Sequence, residues 1–549
     1  MGARRSMQSS ARKRYYRRRF KRMVVLLMVA LILAGIIGGG LAYPVLAPDA
    51  SLLISAVVAP TSALPTAPTI AVVEEPVFVM EEQILTEIPL PTVEPEERPV
   101  LVLPTQGQIV PPSDDPSILY YSVAGDSLQG VSLRFGVNID EISSPSEIDR
   151  RGLLPPGQLL IIPNRLGETS SRSKLLPDSE VTFSPSTIDF DIHEYVLSAG
   201  GYLSTHSQYL GTTGITSGAD VIARVAREFS VNPRLLLAAL EYQSGWVYGT
   251  PSDQQLIDYP MGYKNEARQD LFQQLAWFAS RVMDGYYGWK EGRRLVINFN
   301  DGSMLRLAPQ LNAGSVGLMN AFTYLYDYED WANLLYAEEN FFMHYERMFG
   351  SPWIRAQAVE PLIPADIVQP EMILPFEPNV TWAFTGGPHA AWSAADVWAA
   401  LDFAPPSAET GCHESPAWVV ASTAGLVVRS GNGVVVVDMD GDGYEQTGWT
   451  MLYLHIATKN RVPVGTWLEV GDRIGHPSCE GGRSTGTHVH IARRYNGEWV
   501  AADGPLPFEL SGWTARAASV PYKGWLIRDE EIVYASTAAH YLTHISREE

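Results

Sequence analysis

Cysteine is almost missing from this chain of 549 residues. With only two, neither a disulfide-rich scaffold nor a Cys₄ zinc module is open to it. Basic charge is scarce outside the extreme N-terminus. Ten of the 40 Lys and Arg residues fall within 1–22, where no acid stands, leaving 30 against all 61 acidic residues in the remainder. A body that acidic excludes nucleic acid as a partner, because phosphate contacts need a basic surface. The His-Glu-x-x-His pair of helical zinc peptidases is absent as well. What is present is globular, with 46% apolar residues, and at roughly 100–200 residues per domain the length allows three or four domains.

From Met23 to Pro48 no residue is charged. The core of that run, 23–41, is rich in Val, Leu and Ile. At about 1.5 Å per residue it is long enough to cross a bilayer core of about 30 Å. Arg12, Lys13, Arg14, Arg17, Arg18, Arg19, Lys21 and Arg22 abut it, and the positive-inside bias keeps such a cluster in the cytoplasm. The expectation is a cytoplasmic tail at 1–22 and a transmembrane signal anchor at 23–43. That gives a single-pass cell-membrane protein, partnered with the membrane through one helix, whose other domains lie outside the cytoplasm. A signal peptide cut within 43–50 is the alternative, and both export the body. Residues 44–118 hold 14 of the 39 prolines without helical or strand periodicity. They read as an extended linker.

Residues 119–164 read as a unit. Tyr120-Tyr-Ser-Val-Ala-Gly-Asp-Ser-Leu128 gives a strand and a turn whose Asp126 or Ser127 can cap a helix. Two short helices follow, then Leu154-Pro-Pro-Gly-Gln-Leu-Leu-Ile-Ile-Pro163 as a closing strand. The unit resembles a LysM domain. The resemblance implies a βααβ fold that binds N-acetylglucosamine-containing glycans such as peptidoglycan or chitin.

Residues 165–214, rich in Ser, Thr and Gly, read as a second connector. Residues 215–350 carry helical spacing: Val221, Ile222, Val225 and Phe229, then an N-cap and first-turn proline at Asn232-Pro233. Further helices are expected near 271–283, 315–326 and 338–349. Leu235-Leu-Leu-Ala-Ala-Leu-Glu-Tyr-Gln-Ser-Gly-Trp246 resembles the acid-bearing helix of lysozyme-like lytic transglycosylases. There a carboxylic acid in an apolar setting protonates a glycosidic oxygen. Aligning Ser244-Gly245-Trp246 places Gln243, not Glu241, at the acid position. Three readings stay open: a glycosidase using Glu241, an inactive lysozyme-like glycan-holding domain, and an unrelated helical spacer. Residues 351–372, with four prolines, read as a third linker.

Residues 373–515 hold the chemistry. Short strands are expected at 419–422, 425–429, 434–438, 449–456, 467–470 and 487–493. His488 and His490 stand two apart, so on a strand both leave the same face. His389 in Gly386-Gly-Pro-His, Asp402 in Leu401-Asp-Phe403 and His455 in Tyr453-Leu-His complete a group of five. A catalytic zinc takes three such ligands and leaves a position for water, so two of the five remain for proton transfer. These motifs resemble the lysostaphin-type zinc endopeptidases, and within them the β-lytic branch, over about 373–515. The resemblance implies an antiparallel all-β fold, Zn²⁺ held by His389, Asp402 and His490, and His455 and His488 as the catalytic pair. It also implies cleavage of peptide bonds in peptidoglycan. A non-catalytic wall-binding or regulatory protein is the alternative. For an exported chain, Cys412 and Cys479 are expected to form a disulfide, with free thiols or zinc thiolates as alternatives. Asp438-Met-Asp-Gly-Asp-Gly443 has the spacing of half a calcium loop, but Trp449 stands where the loop needs Glu, and a hairpin turn fits better. Residues 516–549 are left as a C-terminal extension.

The fold class expected is therefore multidomain: a transmembrane helix, a βααβ LysM module, a mainly α lysozyme-like domain and an antiparallel all-β metallopeptidase domain.

Overall fold

The computed structural model describes residues 116–548, apart from 365, 394–396 and 408. The expected basic tail, the span at 23–43 and nearly all of the Pro-rich linker lie outside these residues. Among the described residues no helix is long and apolar enough to cross a membrane. The transmembrane helix is accordingly removed from the fold class, and so is a membrane partnership through one. A small β-α-β module, a mainly α domain and a β-rich domain make up what is described.

Strand β1 (Ser117–Tyr121) starts just inside the expected linker and pairs antiparallel with β2 (Leu159–Pro163). Helix α1 (Leu128–Phe135) begins where the Ser127 hydroxyl accepts the Gly130 N–H and ends at Gly136 in the left-handed region. The second helix shrinks to one 3₁₀ turn, Ile139–Glu141. Asp126 does not cap. It accepts the Tyr120 hydroxyl at 2.7 Å and pairs with buried Arg134.

The connector expected at 165–214 is instead part of the helical domain. Leu176, Val181, Val196 and Leu203 from this stretch are buried in the same core as Val221, Leu236 and Phe278. It folds into a helix (Ile192–Ala199) and a hairpin of β3 (Ser207–Leu210) and β4 (Gly214–Ser217). Its apolar residues are too sparse to show a period, while its Ser and Thr residues make turns and caps such as Ser184. The principal helices are α2 (Gly218–Phe229), α3 (Pro233–Ser244), α4 (Leu271–Lys290), α5 (Ala313–Phe322) and α6 (Phe341–Phe349). α4 and α5 approach closely because a Cβ on Gly285 would stand 2.8 Å from Gly317 Cα. The third linker is tied down in part. Arg355, in the short helix Pro352–Ala356, bonds through Nη2 at 2.7 Å to Glu180, a buried carboxylate that also accepts the Tyr345 hydroxyl at 2.5 Å.

The β-rich domain is built on β5 (Trp382–His389), β6 (Ala400–Ala404), β7 (Gly425–Gly431), β8 (Val434–Asp438), β9 (Trp449–Leu454) and β10 (Val489–Tyr495). The sheet order is Trp467–Leu468, β7, β8, β9, β10, β6, β5, His544–Ile545, all antiparallel. Residues 516–549 are therefore no appendage. The boundary at 515 cuts the strand Trp513–Ala517, which belongs to a second, four-stranded sheet, and His544–Ile545 covers the edge of β5.

Successive side chains of a strand leave opposite faces. On one face Leu401, Phe403, Tyr453, Val489 and Ile491 form the domain's own core. On the other, Ala400, Val434, Leu452 and Ala492 are continuous with the core of the helical domain. The docking is also polar. Buried Glu498 accepts the Tyr286 hydroxyl at 2.5 Å and pairs with Lys290, and the Trp499 N–H donates to the Tyr287 hydroxyl at 2.8 Å. Glu498→Ala leaves Lys290 and Tyr286 without their partner beneath a covered surface. Loss of one member of a buried pair costs about 3 kcal/mol. Urea unfolding of the full chain should show a loss of that size, and an unchanged midpoint would refute this account of docking.

Candidate metal centre

Register brings the expected ligands together. His490 on β10 lies directly opposite Asp402 on β6, and His389 is the last residue of β5, which pairs with β6. Two register shifts in β5, around Gly386, turn its end toward Asp402. Gly386 is required there, since a Cβ would stand 2.4 Å from Asp402 Oδ2. His455 follows the end of β9 with a φ of +66°, a strained value for a non-glycine residue at a functional position. His488 precedes β10 by one residue.

Asp402 Oδ1 is 3.3 Å from His389 Nε2 and 3.2 Å from His490 Nδ1, and those two nitrogens are 3.1 Å apart. The far nitrogen of each ring is already committed. His389 Nδ1 donates to the Gly387 carbonyl at 2.8 Å, and His490 Nε2 donates to the Ala391 carbonyl at 2.9 Å. In neutral rings this fixes the tautomers so that both lone pairs face the carboxylate. Three acceptors thus converge, and Asp402 Oδ1 is buried without a hydrogen-bond donor. A bound cation satisfies such a set. Zinc with bonds of about 2.0–2.1 Å separates tetrahedral ligands by about 3.3–3.4 Å, so the three residues fit it with little adjustment. The carbonyls of Gly387 and Ala391 serve as the outer partners that orient ligating imidazoles.

Electrostatics couple the carboxylate to its histidines. Burial alone would raise the Asp402 carboxyl, yet His389, His490 and His488 hold it well below the carboxylate range. Burial also opposes charge on His389, but Asp402 prevails and its pKa rises. His490 is lowered, by burial first, against the pull of Asp402. His455 is pushed down to about 3 by burial and by the neighbouring His488 and His490. Its Nδ1–H donates to the Glu480 carbonyl at 2.8 Å, leaving Nε2 as the free base. His488 donates through Nδ1 to the Gly486 carbonyl at 2.8 Å, so its Nε2, 3.7 Å from Asp402 Oδ1, faces the ligands.

Cys412 and Cys479 are bonded to each other, closing 67 residues of sequence. The bridge lies beside the segment that holds His455. The Ser478 N–H donates to the His455 carbonyl at 2.7 Å, and Glu480 supplies the carbonyl that fixes its ring. Tyr522 is a further residue of the site, and the sequence offered no motif for it. Its ring stacks on His389 with centroids 4.1 Å apart, from a turn within residues 516–549.

Glu241 is far from this centre in role. Its Oε2 accepts the N–H groups of Val247 at 2.7 Å and Tyr248 at 3.0 Å, closing the loop after α3. Gln243 bonds to the Tyr326 hydroxyl. In the acidic loop, Asp438 accepts the N–H groups of Asp440, Gly441 and Gly443, as a hairpin turn does.

The sheet and the site define a class: a candidate His₂Asp metal centre on an antiparallel sheet, flanked by two further histidines. Comparison with known proteins follows the same division of the chain. The family profile "LasA, N-terminal domain" matches residues 174–363, and the LysM domain profile matches 123–163. The first covers the helical domain together with most of the expected connector. Protease LasA of Pseudomonas aeruginosa is 24% identical over 371 residues, which is 62% of this chain and 78% of that protein. Among solved structures, the M23 metalloprotease pseudoalterin is 22% identical, covering 31% of this chain and 96% of that one, with a TM-score of 0.25. The catalytic domain of lysostaphin from Staphylococcus simulans is 22% identical, covering 23% and 90%, with a TM-score of 0.17.

Asp402→Ala or His490→Ala removes one of three ligands and should take zinc from one equivalent to near zero by elemental analysis of the purified chain. Retention of stoichiometric zinc by either variant contradicts the assignment. Cys412→Ser should lower unfolding free energy by roughly 4 kcal/mol, the loop-entropy value for a closure of this length, as read by denaturant melts in the absence of reductant.

Proposed function

We propose that the chain is an exported cell-wall hydrolase: a zinc metalloendopeptidase that cleaves peptide bonds in peptidoglycan stems or cross-bridges, held on glycan by its LysM module. The observation that carries this reading is the convergence of His389, Asp402 and His490 on a point with no donor, beside two further histidines. Likeness to Protease LasA over most of that protein's length supports it. So does the LysM match at 123–163.

The residues that hold zinc are His389, Asp402 and His490, and zinc so bound supplies Lewis acidity that polarises a scissile carbonyl and acidifies water. The remaining work belongs to the chain. His488 and His455 keep Nε2 clear of their Nδ1–carbonyl bonds, one to take a proton from the attacking water and the other, once protonated, to hold or return a proton at the substrate. Tyr522, stacked on His389 and about half exposed, covers one side of the site. Burial of all three ligands excludes bulk water from their flanks, which strengthens each of these interactions. The chain acts outside the cytoplasm on this reading, where a disulfide such as Cys412–Cys479 is stable.

A purely regulatory role is disfavoured by the complete ligand set. The glycosidase reading is disfavoured by Glu241, whose carboxylate is bound to two backbone amides. Digestion of purified peptidoglycan followed by mass spectrometry tests all three. Wild type should release peptide fragments and no new reducing or 1,6-anhydro sugar ends. His488→Ala should keep its zinc while turnover falls about 10²–10⁴-fold, the size of a general acid–base contribution. Glu241→Gln should leave the products unchanged, and sugar release that depends on Glu241 would establish a second activity.

A further inference from the structure

The two histidines assigned to proton transfer share one loop, residues 479–486. The loop is tied at both ends. Cys479 is bonded to Cys412, the Glu480 carboxylate accepts the Thr458 N–H at 2.8 Å and its hydroxyl at 2.6 Å, and the Ser484 hydroxyl donates to the Gly486 carbonyl at 2.7 Å. Between these ties it runs along both rings, whose centroids are 4.5 Å apart. The Glu480 carbonyl accepts from His455 Nδ1, a Cβ on Gly482 would stand 3.4 Å from His455 Cε1, and Ser484 Oγ is 3.3 Å from His488 Nδ1.

Arg483 stands between Gly482 and Ser484, one residue from a contact with each histidine. It is exposed, and among the described residues it makes no hydrogen bond, ion pair or ring contact. The acid nearest to it in sequence, Glu480, is taken up by Thr458 and by Arg461 at 3.6 Å. Other arginines of this domain differ. Arg429, Arg461, Arg473, Arg494, Arg516 and Arg528 are each paired with a carboxylate. In a chain so rich in acid, the guanidinium left without a partner is the one whose backbone is fixed against His455 and His488.

We propose that Arg483 is a substrate-binding residue that takes a free carboxylate of the peptide close to the scissile bond, so that the site prefers acidic stems to amidated ones. The inference rests on the peptidase reading and adds which chemical group of the substrate is recognised, and by what. The guanidinium presents forked N–H donors that match a carboxylate. Because the loop is already tied down, only the side chain of Arg483 has to be ordered on binding, which lowers the entropic cost. The contact lies at the solvent boundary, so its strength is modest and falls as salt is added.

The test uses the full chain and soluble cross-linked peptidoglycan fragments, either with free carboxylates or amidated with carbodiimide and excess ammonia. At low salt, wild type should show a KM about fivefold lower on the free-carboxylate form, the size of an exposed charge contact, with kcat alike on both. The preference should shrink at about 1 M salt, where the screening length is about 3 Å. Arg483→Gln should raise KM on the free-carboxylate form to the amidated value while kcat stays within about twofold of wild type. Lys264→Gln removes the same charge from an exposed position in the helical domain and should behave as wild type. Equal KM for the two forms in wild type, a preference that survives Arg483→Gln, a loss confined to kcat, or a matching loss in Lys264→Gln would overturn the proposal. A wild type that cleaves neither form would instead remove the peptidase reading itself.

Discussion

The structure of the β-rich domain turns on one carboxylate. Asp402 is buried opposite His490, between two imidazole nitrogens that in neutral rings offer lone pairs rather than protons. Without a cation such an arrangement is costly, because a buried unpaired charge forfeits its hydration. With one, the same three groups become a closed set. The surroundings serve this point. The irregular end of β5 brings in His389, Gly386 makes room for the carboxylate, and two backbone carbonyls lock the ring tautomers. The disulfide and the Ser478–Glu480 stretch then hold His455 in a conformation that a free chain would seldom adopt.

Strand alternation makes the site and the helical domain neighbours. His490 and Ala492 share a face, as do Asp402 and Ala400, and the small alanines are where the helical domain lands. Large side chains there would hold the domains apart. The opposite face is filled by the domain's own Leu401, Phe403, Tyr453 and Ile491. One face is thus committed to stability, while the other is divided between chemistry and docking. Glu498, Tyr286, Lys290 and Tyr287 fix that docking with directional bonds, which apolar contact alone would leave free to slide.

Much of this was legible in the chain. Residue types with metal-ligand chemistry stand in short motifs, and a His-x-His pair on a strand must point one way, so His389, Asp402, His455, His488 and His490 stand out as candidates in the sequence itself. The LysM unit was legible because capping and turn residues are local signals. The folded stretch at 165–214 was not, since isolated residues such as Val181 and Leu203 give no period and the Ser and Thr between them imitate a linker. Tyr522 was invisible for another reason: it reaches His389 only through the packing of a second sheet. Glu241 is a third case. Its apolar helix offered an acid, and only the fold shows its carboxylate accepting two backbone N–H groups six and seven residues further along the chain.

Sequence alone determined the candidate ligand types, their order, the two-residue phase of His488 and His490, and the pair of cysteines available for a bridge. These follow from chemistry and from strand geometry, which act over a few residues. Only the tertiary structure decided the register that sets His490 against Asp402, the tautomers, the stacking of Tyr522, and the placement of the helical domain on the face that carries the site. Apart from the tautomers of His389, His455 and His488, those depend on contacts between segments far apart in the chain, such as His389 with His490 and Tyr286 with Glu498. No local pattern encodes such contacts, because their energy arises only when the sheet and the helical core are both formed.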